Sequence, residues 1–280
     1  MSTQAGHLTP EEIRRFHENG YFIKKAGLMG AEGSALSEYT DQAIETACRA
    51  IEGTGLVGCL DGESTVVCDG SRVVYRTAAA TGKTDYSIAR VNGVCGMQPA
   101  LRNTLRSDKM LHTFFDLLGA DDIEHLIAQL HPKRAGDGIC FPSHRDIDFR
   151  RVFDPNWVDV AGNGSYAICI IPLDRMTREN GGLYIDTNSF GNTEETSEET
   201  LLWVEADPGD LIFLHPYILH GSGPNESTTL NRRTLLTGYC AFGANHKAYP
   251  GAEVNTRFTR QRQDGDNIPG TITIRNSPWK

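Results

Sequence analysis

Two histidines and one aspartate are the side chains whose types and spacing could hold a reactive metal ion. His144 and Asp146 stand two positions apart, and His220 follows much later in the chain. Because side chains alternate along an extended segment, His144 and Asp146 can reach the same ion. Two histidines and one carboxylate on one face of a metal leave coordination positions open, as in non-haem Fe(II) oxygenases. The pattern therefore predicts a metal site formed by these three residues.

Other interpretations of the histidines stay open. A core histidine hydrogen-bonded to an aspartate would give the same His-x-Asp pattern without any metal. His215 lies five residues before His220 and could replace it as a ligand if the register of the chain differs. The other histidines considered are expected to be structural or exposed: His7, His17, His112, His131 and His246.

Two adjacent arginines, Arg232 and Arg233, enter a β-prone run at residues 234–242. A guanidinium inside a barrel is costly unless it is paired, and a bound dicarboxylate would be a natural partner because arginine holds carboxylates bidentately. Neighbouring residues of a strand face opposite sides, so only one of the two can point inward. The pattern predicts one carboxylate-binding arginine and one surface arginine.

Composition and charge limit the classes of function. The chain of 280 residues has a net charge of −9, which argues against binding nucleic acid or an anionic membrane. Local basic clusters at residues 150–151 and 257–262 are interpreted as solvated faces. No apolar run is long enough to cross a bilayer, and the first residues lack the pattern of a signal peptide. Seven cysteines include no Cys-x-x-Cys pair, so a reducing, cytoplasmic location is expected, with Cys140 and Cys169 as buried thiols.

Helices are predicted mainly in the first half of the chain. Thr9, Pro10 and Glu12 form a capping box that starts a helix over 11–19, which ends at Gly20. Further predicted elements are a strand at 21–23, a helix over 34–51, and helical segments at 99–107 and 110–118. Residues 53–96 are rich in Gly, Thr, Ser and Asp; we expect an irregular region there, with β-prone runs at 65–68 and 73–75, that could form a lid.

The second half of the chain is dominated by predicted strands. They span 124–130, 139–141, 166–172, 183–186, 201–205, 211–214, 218–220 and 234–242. Eight short strands without intervening helices fit an antiparallel barrel or jelly roll, so the fold class is mainly β with flanking helices. We expect a single domain over 1–280: N-terminal helices at 9–52, the possible lid at 53–96, a barrel core at about 124–242, and a C-terminal tail at 243–280 that is loosely packed from about 256.

The order of several short motifs resembles the phytanoyl-CoA dioxygenase (PhyH-like) family. They are His-x-Asp at 144–146, Asn-Gly-Gly-Leu at 180–183, Pro-Gly-Asp at 208–210, His-Gly-Ser-Gly-Pro-Asn at 220–225 and the following arginine. The opening Leu-Thr-Pro-Glu-Glu at 8–12 is also similar, and the resemblance covers about residues 8–242. It implies an Fe(II)- and 2-oxoglutarate-dependent oxygenase on a double-stranded β-helix. One departure is Asp186-Thr187-Asn188-Ser189-Phe190, where relatives often have Pro-Gly-Ser-His.

The resemblance assigns roles to individual residues. His144, Asp146 and His220 would be the iron ligands and the catalytic centre. Arg232 would bind the distal carboxylate of 2-oxoglutarate, and Ser222 would assist it. Arg233 is the alternative to Arg232, because the interval from His220 to the arginine is about one residue longer than is usual in the family. Gln129 would contact co-substrate or substrate, unless it is an ordinary polar group of its strand, where it is expected to share a face with Ile127 and His125.

The predicted reaction is oxidation, most simply hydroxylation, of a small metabolite with O2, releasing succinate and CO2. Asp146 argues against halogenation, since related halogenases have a small residue there. The preferred substrate is an amino acid or another intermediate of secondary metabolism; a terpenoid or alkaloid is the alternative, and acyl-CoA is disfavoured because no basic patch is evident for its nucleotide. A homodimer stays open. The candidate pocket residues are Tyr75, Arg90, Asn92, Phe149 and Trp157.

Two functions of other classes also remain. A cupin-like metal-dependent isomerase or hydrolase would use the same three ligands without 2-oxoglutarate, and would need neither Arg232 nor Arg233 to face inward. A catalytically silent barrel acting as a binding module would hold no metal.

Overall fold

The computed structural model describes residues 8–28, 30–55, 63–77, 86–192, 198–252, 254–262 and 267–270. Its helices are α1 (Pro10–Asn19), α2 (Ala31–Glu52), α3 (Leu101–Leu105), α4 (Asp108–Leu118) and α5 (Asp146–Phe153). Its strands are β1 (Tyr21–Lys24), β2 (Glu63–Cys68), β3 (Ser71–Thr77), β4 (Tyr86–Asn92), β5 (Asp122–Lys133), β6 (Phe141–His144), β7 (Tyr166–Pro172), β8 (Leu183–Asp186), β9 (Leu201–Trp203), β10 (Leu211–Leu214), β11 (His220–Ser222), β12 (Arg232–Ala241), β13 (Thr256–Arg262) and β14 (Asn267–Gly270). No helix in these ranges combines the length and apolar composition needed to cross a membrane.

Two antiparallel sheets form the framework. The large sheet has the order β1-β10-β7-β12-β5-β4-β3-β2, with β13 paired to β5 and β14 to β13, and the small sheet has the order β6-β11-β8-β9. Of strands β5 to β12, the large sheet contains β5, β7, β10 and β12, and the small sheet contains β6, β8, β9 and β11. Four strands in each of two facing sheets are the jelly-roll arrangement. The predicted fold class, mainly β with flanking helices around a jelly-roll core, is confirmed.

Helices cover the outer face of the large sheet. The capping box of α1 is formed as predicted: Thr9 and Glu12 each accept a hydrogen bond from the other's backbone, and Gly20 ends the helix in the left-handed conformation. Residues of α2 and α4, such as Leu36 and Phe114, pack with strand residues into one buried apolar cluster. A second cluster, including Ile168, lies between the sheets. The helices therefore leave the inner face of the large sheet free to form a pocket.

Two expectations about order were wrong. Most of the described part of the region expected to be irregular forms three strands, β2 to β4, which extend the large sheet beyond β5 through pairs such as Val91 with Leu130. Residues 56–62 and 78–85 lie outside the described residues. Residues 256–262 of the tail form β13, in which Thr256 is buried and pairs with His125 of β5; residues 263–266 and 271–280 lie outside the described residues. Backbone pairing to β5 orders both segments despite their polar composition.

The short elements around the site differ slightly from prediction. Strand β6 begins at Phe141 and leaves Cys140 exposed, whereas Cys169 is buried as expected. Strand β11 begins at His220 and runs to Ser222, instead of ending at His220. The apolar run around Cys140 suggested that this residue is buried. Strand β6 is the edge strand of the small sheet and begins only at Phe141, so Cys140 lies outside the sheet and is not covered by it.

A β-bulge in β5 reverses the expected side-chain alternation. Gly238 of β12 pairs with Ile127, and the next residue, Tyr239, pairs with His125, so Leu126 is the extra residue. His125 consequently points to the helix-covered face, where its ring stacks on Tyr239 at 4.6 Å and accepts a hydrogen bond from Arg106. Gln129 lines the inner pocket with Ile127. The expected common face of Gln129, Ile127 and His125 was therefore wrong for His125.

The turn before β10 makes a testable prediction about stability. Gly209 has a φ of +87°, and a Cβ there would lie 2.0 Å from the carbonyl oxygen of Leu28. Gly162 has a φ of +73°, and a Cβ there would meet no atom of the described residues within 4 Å, so it serves as the matched control. We expect Gly209→Ala to lower the free energy of unfolding by about 2–4 kcal/mol and Gly162→Ala by about 1 kcal/mol, because only the former adds a backbone clash. Urea unfolding followed by circular dichroism measures both; equal losses would contradict the argument.

Candidate metal centre

The three predicted ligands converge on one point. His144 ends β6, Asp146 begins α5, and His220 begins β11, with His144 and His220 paired across the small sheet. One ligand atom from each residue lies within 4.8 Å of the others. The Oδ1 atom of Asp146 is 3.7 Å from Nε2 of His144 and 4.0 Å from Nε2 of His220. The backbone of Arg145, between His144 and Asp146, is extended. The two side chains therefore point to the same side, as predicted, although a helix starts at Asp146.

Backbone carbonyls orient both imidazoles. The Nδ1 of His144 lies 2.7 Å from the carbonyl oxygen of Pro142, and the Nδ1 of His220 lies 3.2 Å from that of Ile218. A carbonyl can only accept, so each Nδ1 carries the proton and each Nε2 presents a lone pair toward Asp146. Burial lowers the pKa of His220, although the Asp146 carboxylate acts in the opposite direction. The neutral, ligating form of the ring is therefore favoured.

The segment that departs from the family pattern forms an ordered turn. Asp186 accepts a hydrogen bond from the backbone of Asn188 at 3.1 Å, and the hydroxyl of Ser189 donates to the carbonyl oxygen of Asp186 at 2.7 Å. That hydroxyl also accepts from the backbone N–H of Leu219 at 2.8 Å. The segment 186–190 thus forms a hydrogen bond to the backbone of Leu219, the residue immediately before His220.

His215 does not join the ligands. Its ring packs among Phe16, Phe190 and Tyr217, with ring centroids 4.7–5.5 Å apart. Burial lowers the pKa of His215 to about 3, so it is a neutral core side chain. The alternative register in which His215 replaces His220 is not the one that the structure adopts.

The two arginines point in opposite directions. Arg232 is only 4% exposed and lines the cavity, where its Nη1 donates to Oγ1 of Thr234 and its Nη2 to the carbonyl oxygen of Gly181, each at 2.9 Å. Burial lowers the pKa of Arg232 to about 10, still well above neutrality. Arg233 instead forms ion pairs with Asp174 and Asp41 on the other side of the strand. A charged guanidinium is thus available to the cavity at Arg232.

A buried lysine, missed in the sequence, supports the same end of the cavity. Lys133 of β5 pairs with Arg232 across the strands. Its Nζ donates to Oγ of Ser222 at 2.8 Å and to the carbonyl oxygen of Gly181 at 3.2 Å. Burial, followed by the charge of Arg232, lowers the pKa of Lys133 to about 6. Ser222 lines the cavity and is held there by Lys133.

Lys133 should leave a signature in the pH dependence of stability. Between pH 6 and its ordinary pKa, the unfolded chain holds a proton on Lys133 that the folded protein lacks, so stability rises with pH across this window. We expect Lys133→Met to remove a slope of up to about 1.4 kcal/mol per pH unit. Urea unfolding of the metal-free protein from pH 6 to 9 measures this slope. Parallel curves for wild type and variant would show that Lys133 stays protonated in the folded protein.

The cavity has a volume of about 770 Å³. Arg90, Asn92 and Phe149 line it as predicted, whereas Trp157 does not line it and packs on Tyr166 with ring centroids 6.3 Å apart. Tyr75 is buried in the outer core instead. The lining residues that were not predicted from the sequence include six large polar side chains: Arg72, His131, Arg150, Tyr166, Lys247 and Tyr249.

Gln129 and His131 occupy the inner face of β5. The Gln129 amide donates to the hydroxyl of Tyr249 at 3.4 Å. The His131 ring stacks on Phe141 at 4.5 Å, and burial followed by the charge of Arg232 lowers its pKa well below the ordinary value. His131 follows Gln129 by two residues, and residues two apart in a strand share a face. This spacing could have indicated that His131 also lines the cavity.

Comparison with known proteins gives consistent results. A family model described as phytanoyl-CoA dioxygenase matches residues 8–234. A Caenorhabditis elegans protein described as a probable phytanoyl-CoA dioxygenase is 22% identical over 235 residues, covering 80% of this chain and 73% of the relative.

Solved structures share the fold. SnoK, a non-haem α-ketoglutarate-dependent carbocyclase from nogalamycin biosynthesis, is 17% identical with a TM-score of 0.61, covering 90% of both chains. EctD from S. alaskensis, solved with 2-oxoglutarate and 5-hydroxyectoine, is 15% identical with a TM-score of 0.62, covering 100% of this chain and 92% of EctD. These likenesses establish the fold alone. Because the family model spans most of the sequence, the chain belongs to the phytanoyl-CoA dioxygenase family.

Proposed function

We propose that this protein is an Fe(II)- and 2-oxoglutarate-dependent dioxygenase that hydroxylates a small metabolite. The observation that carries the proposal is the convergence of His144, Asp146 and His220 in the same cavity that receives the Arg232 guanidinium. Membership of a dioxygenase family and the 2-oxoglutarate bound in the EctD structure support it.

The donor set fits Fe(II). Two neutral imidazoles and one carboxylate suit this metal, and together they leave open positions on its opposite side. The Oδ2 of Asp146 is buried without a hydrogen-bond partner among the described residues, which a bound cation and its ligands would relieve. Bound iron would supply the redox chemistry with O2, while the protein supplies geometry and a shielded cavity.

The residues around the ligands have separate tasks in this proposal. Arg232 would hold the distal carboxylate of 2-oxoglutarate, since Thr234 and Gly181 fix the orientation of its guanidinium. Ser222, held by Lys133, would assist it, and Gln129 would contact co-substrate or substrate. Apolar side chains line the rest of this end of the cavity and exclude water: Ile168, Ile170, Met176, Leu183 and Leu236.

One alternative loses support. A cupin-like isomerase or hydrolase has no need of a buried cation beside the metal ligands, yet Arg232 points into the cavity. Hydroxylation is favoured over halogenation because Asp146 provides a carboxylate at the position where related halogenases have a small residue. The homodimer and the cytoplasmic location expected from the sequence stay predictions.

Anaerobic titration of the Fe(II)-loaded protein with 2-oxoglutarate tests the proposal. We expect a visible metal-to-ligand charge-transfer band that saturates with 2-oxoglutarate, and release of succinate and CO2 once O2 is admitted. Folded, iron-containing protein that gives neither the band nor succinate would point to the cupin-like alternative. Folded protein that takes up no iron would favour a binding module.

A further inference from the structure

A second arginine in the cavity has no ion-pair partner among the described residues. Arg150 lies one helical turn after Asp146 on α5 and is 8% exposed. Its Nε and Nη1 atoms are buried without a hydrogen-bond partner in the same part of the chain. Its Nη2 makes only a long hydrogen bond, 3.4 Å, to the hydroxyl of Tyr249. A buried guanidinium with unsatisfied N–H groups is costly, so this arrangement requires an explanation.

Sequence reasoning placed residues 150–151 on a solvated face, and the structure supports that only for Arg151. Arg151 is exposed and its Nη2 lies 3.5 Å from the hydroxyl of Tyr217. Arg150 turns into the cavity and contributes to its lining. Adjacent residues of a helix point about 100° apart, so one can be buried while the other is exposed.

Two aromatic rings hold the Arg150 guanidinium in place. Its Cζ lies 4.6 Å from the ring centroid of Tyr249 and 5.4 Å from that of Tyr166. Such cation–π contacts fix a planar guanidinium while leaving its N–H groups free to bind a ligand. The Gln129 amide donates to the same Tyr249 hydroxyl, which connects this arrangement to β5. Arg150 is therefore oriented before any ligand arrives.

The charge of the cavity indicates an anionic ligand. The whole protein has a net charge of −9, yet among the described residues the cavity lining contains five cationic residues, Arg72, Arg90, Arg150, Arg232 and Lys247, and one carboxylate, Asp146. Asp146 is assigned to the metal and Arg232 to the co-substrate. Arg90 already forms an ion pair with Glu63. Among these cations, Arg150 combines burial with unsatisfied N–H groups and has no assigned ligand.

We propose that Arg150 binds a carboxylate of the primary substrate, so that the substrate is a small organic acid. The proposal rests on the proposed function and names the substrate class of the same site. A planar carboxylate matches the planar, aromatic-held guanidinium. Arg150 follows Asp146 by about 6 Å along the helix axis, so an anchored substrate would present a carbon a few bonds from its carboxylate to the metal. Ile127 and Leu236 offer apolar wall for the rest of the molecule.

The experiment measures binding rather than turnover. Ligand-observed NMR would be recorded on the full-length protein with small carboxylates (hexanoate, phenylacetate and benzoate) and with their neutral amides as matched probes. The variants are Arg150→Gln, Arg151→Gln as the adjacent exposed control, and Arg232→Ala to remove the co-substrate position. Circular dichroism and Fe(II) stoichiometry report the folding and metal site of each variant.

We expect at least one carboxylate to bind Arg151→Gln as tightly as wild type and Arg150→Gln about 10- to 100-fold more weakly, the loss of a charged hydrogen-bond pair. In the Arg232→Ala background, which lacks the co-substrate position, Arg150→Gln should cause the same fold-loss. The amides should not distinguish wild type from Arg150→Gln. Arg150→Lys should recover part of the affinity, since it restores the charge without the planar group.

Three results would overturn the proposal. They are equal carboxylate affinity in wild type and Arg150→Gln, no binding of any carboxylate to folded wild type, and Arg150-dependent binding of phenyl phosphate without binding of the carboxylates. If the first of these results came together with loss of Fe(II) from Arg150→Gln, the role of Arg150 would instead be to position Asp146. None of these readings requires 2-oxoglutarate turnover, so failure of the proposed function is detected separately by the charge-transfer titration.

Discussion

Replacing Asp146 by alanine is expected to lower Fe(II)-dependent 2-oxoglutarate turnover by on the order of 1000-fold or more. The carboxylate is the anionic member of the ligand set, and its Oδ1 lies within 4.0 Å of Nε2 in both histidines. Without it, two neutral imidazoles must hold a divalent ion alone, which weakens binding and changes the number of open positions. His220→Ala should have a similar effect, because His220 is the proposed ligand on the paired strand β11 and is buried.

The measurement is iron content after anaerobic loading, combined with succinate release on exposure to O2. His246→Ala is the matched control, since His246 is exposed and is not part of the ligand cluster. We expect His246→Ala to keep iron content and turnover within about 2-fold of wild type, as surface substitutions usually do. Iron-dependent turnover that survives in Asp146→Ala would remove the central assumption about this site.

The convergence of His144 and Asp146, two of the proposed metal ligands, could be predicted because it depends on local backbone geometry. It needs only an extended Arg145 between them, whereas His220 reaches them through the pairing of β11 with β6. The inward direction of Arg232 followed from strand alternation once the family pattern had chosen between it and Arg233. Short motifs contain this information, so the structure agrees with the sequence at these positions.

Other parts of the site depend on pairing between distant segments. Lys133 meets Ser222 only because β5 lies opposite β12 and close to β11. The bulge at Leu126 decides which residues of β5 face the cavity, and no short pattern in the sequence marks it. Sequence reasoning assigned Arg150 to a surface cluster because its partners, Tyr166 and Tyr249, are brought to it only by tertiary packing. Residues whose role depends on long-range contacts were therefore missed.

The strands β2 to β4 illustrate the same limit for the fold. The two β-prone runs predicted there lie in β2 and β3, and β4 was missed. Strand β2 alternates between exposed and half-buried residues and has no fully buried position, so little burial marks this region as part of the sheet. Pairing of Asn92 with Gln129 attaches this unit to the strand that lines the cavity. The unit also brings Arg72 and Arg90 to the cavity, so a region expected to be an irregular cover contributes a hydrogen-bonded part of the cavity wall.

Arg232→Ala should weaken 2-oxoglutarate binding by about 100-fold, the scale of losing a charge-assisted bidentate contact in a buried site. Arg232 is buried, keeps its charge with a pKa of about 10, and is fixed by Thr234 and Gly181. Arg233→Ala is the matched control from the next position of the same strand. Its guanidinium binds Asp174 and Asp41 away from the cavity, so we expect 2-oxoglutarate affinity within about 3-fold of wild type and a loss of stability of about 1–2 kcal/mol.

Anaerobic titration of the charge-transfer band in the Fe(II)-loaded variants separates the two arginines. Arg232→Lys should recover part of the affinity, because lysine restores the charge but cannot reproduce the planar contact. Iron content must stay equal to wild type in all three variants, since neither arginine is a ligand. A band that is lost in Arg233→Ala and retained in Arg232→Ala would mean that β12 changes register when the co-substrate binds. That change would also reverse the inward and outward faces of its neighbours, including Thr234 and Leu236.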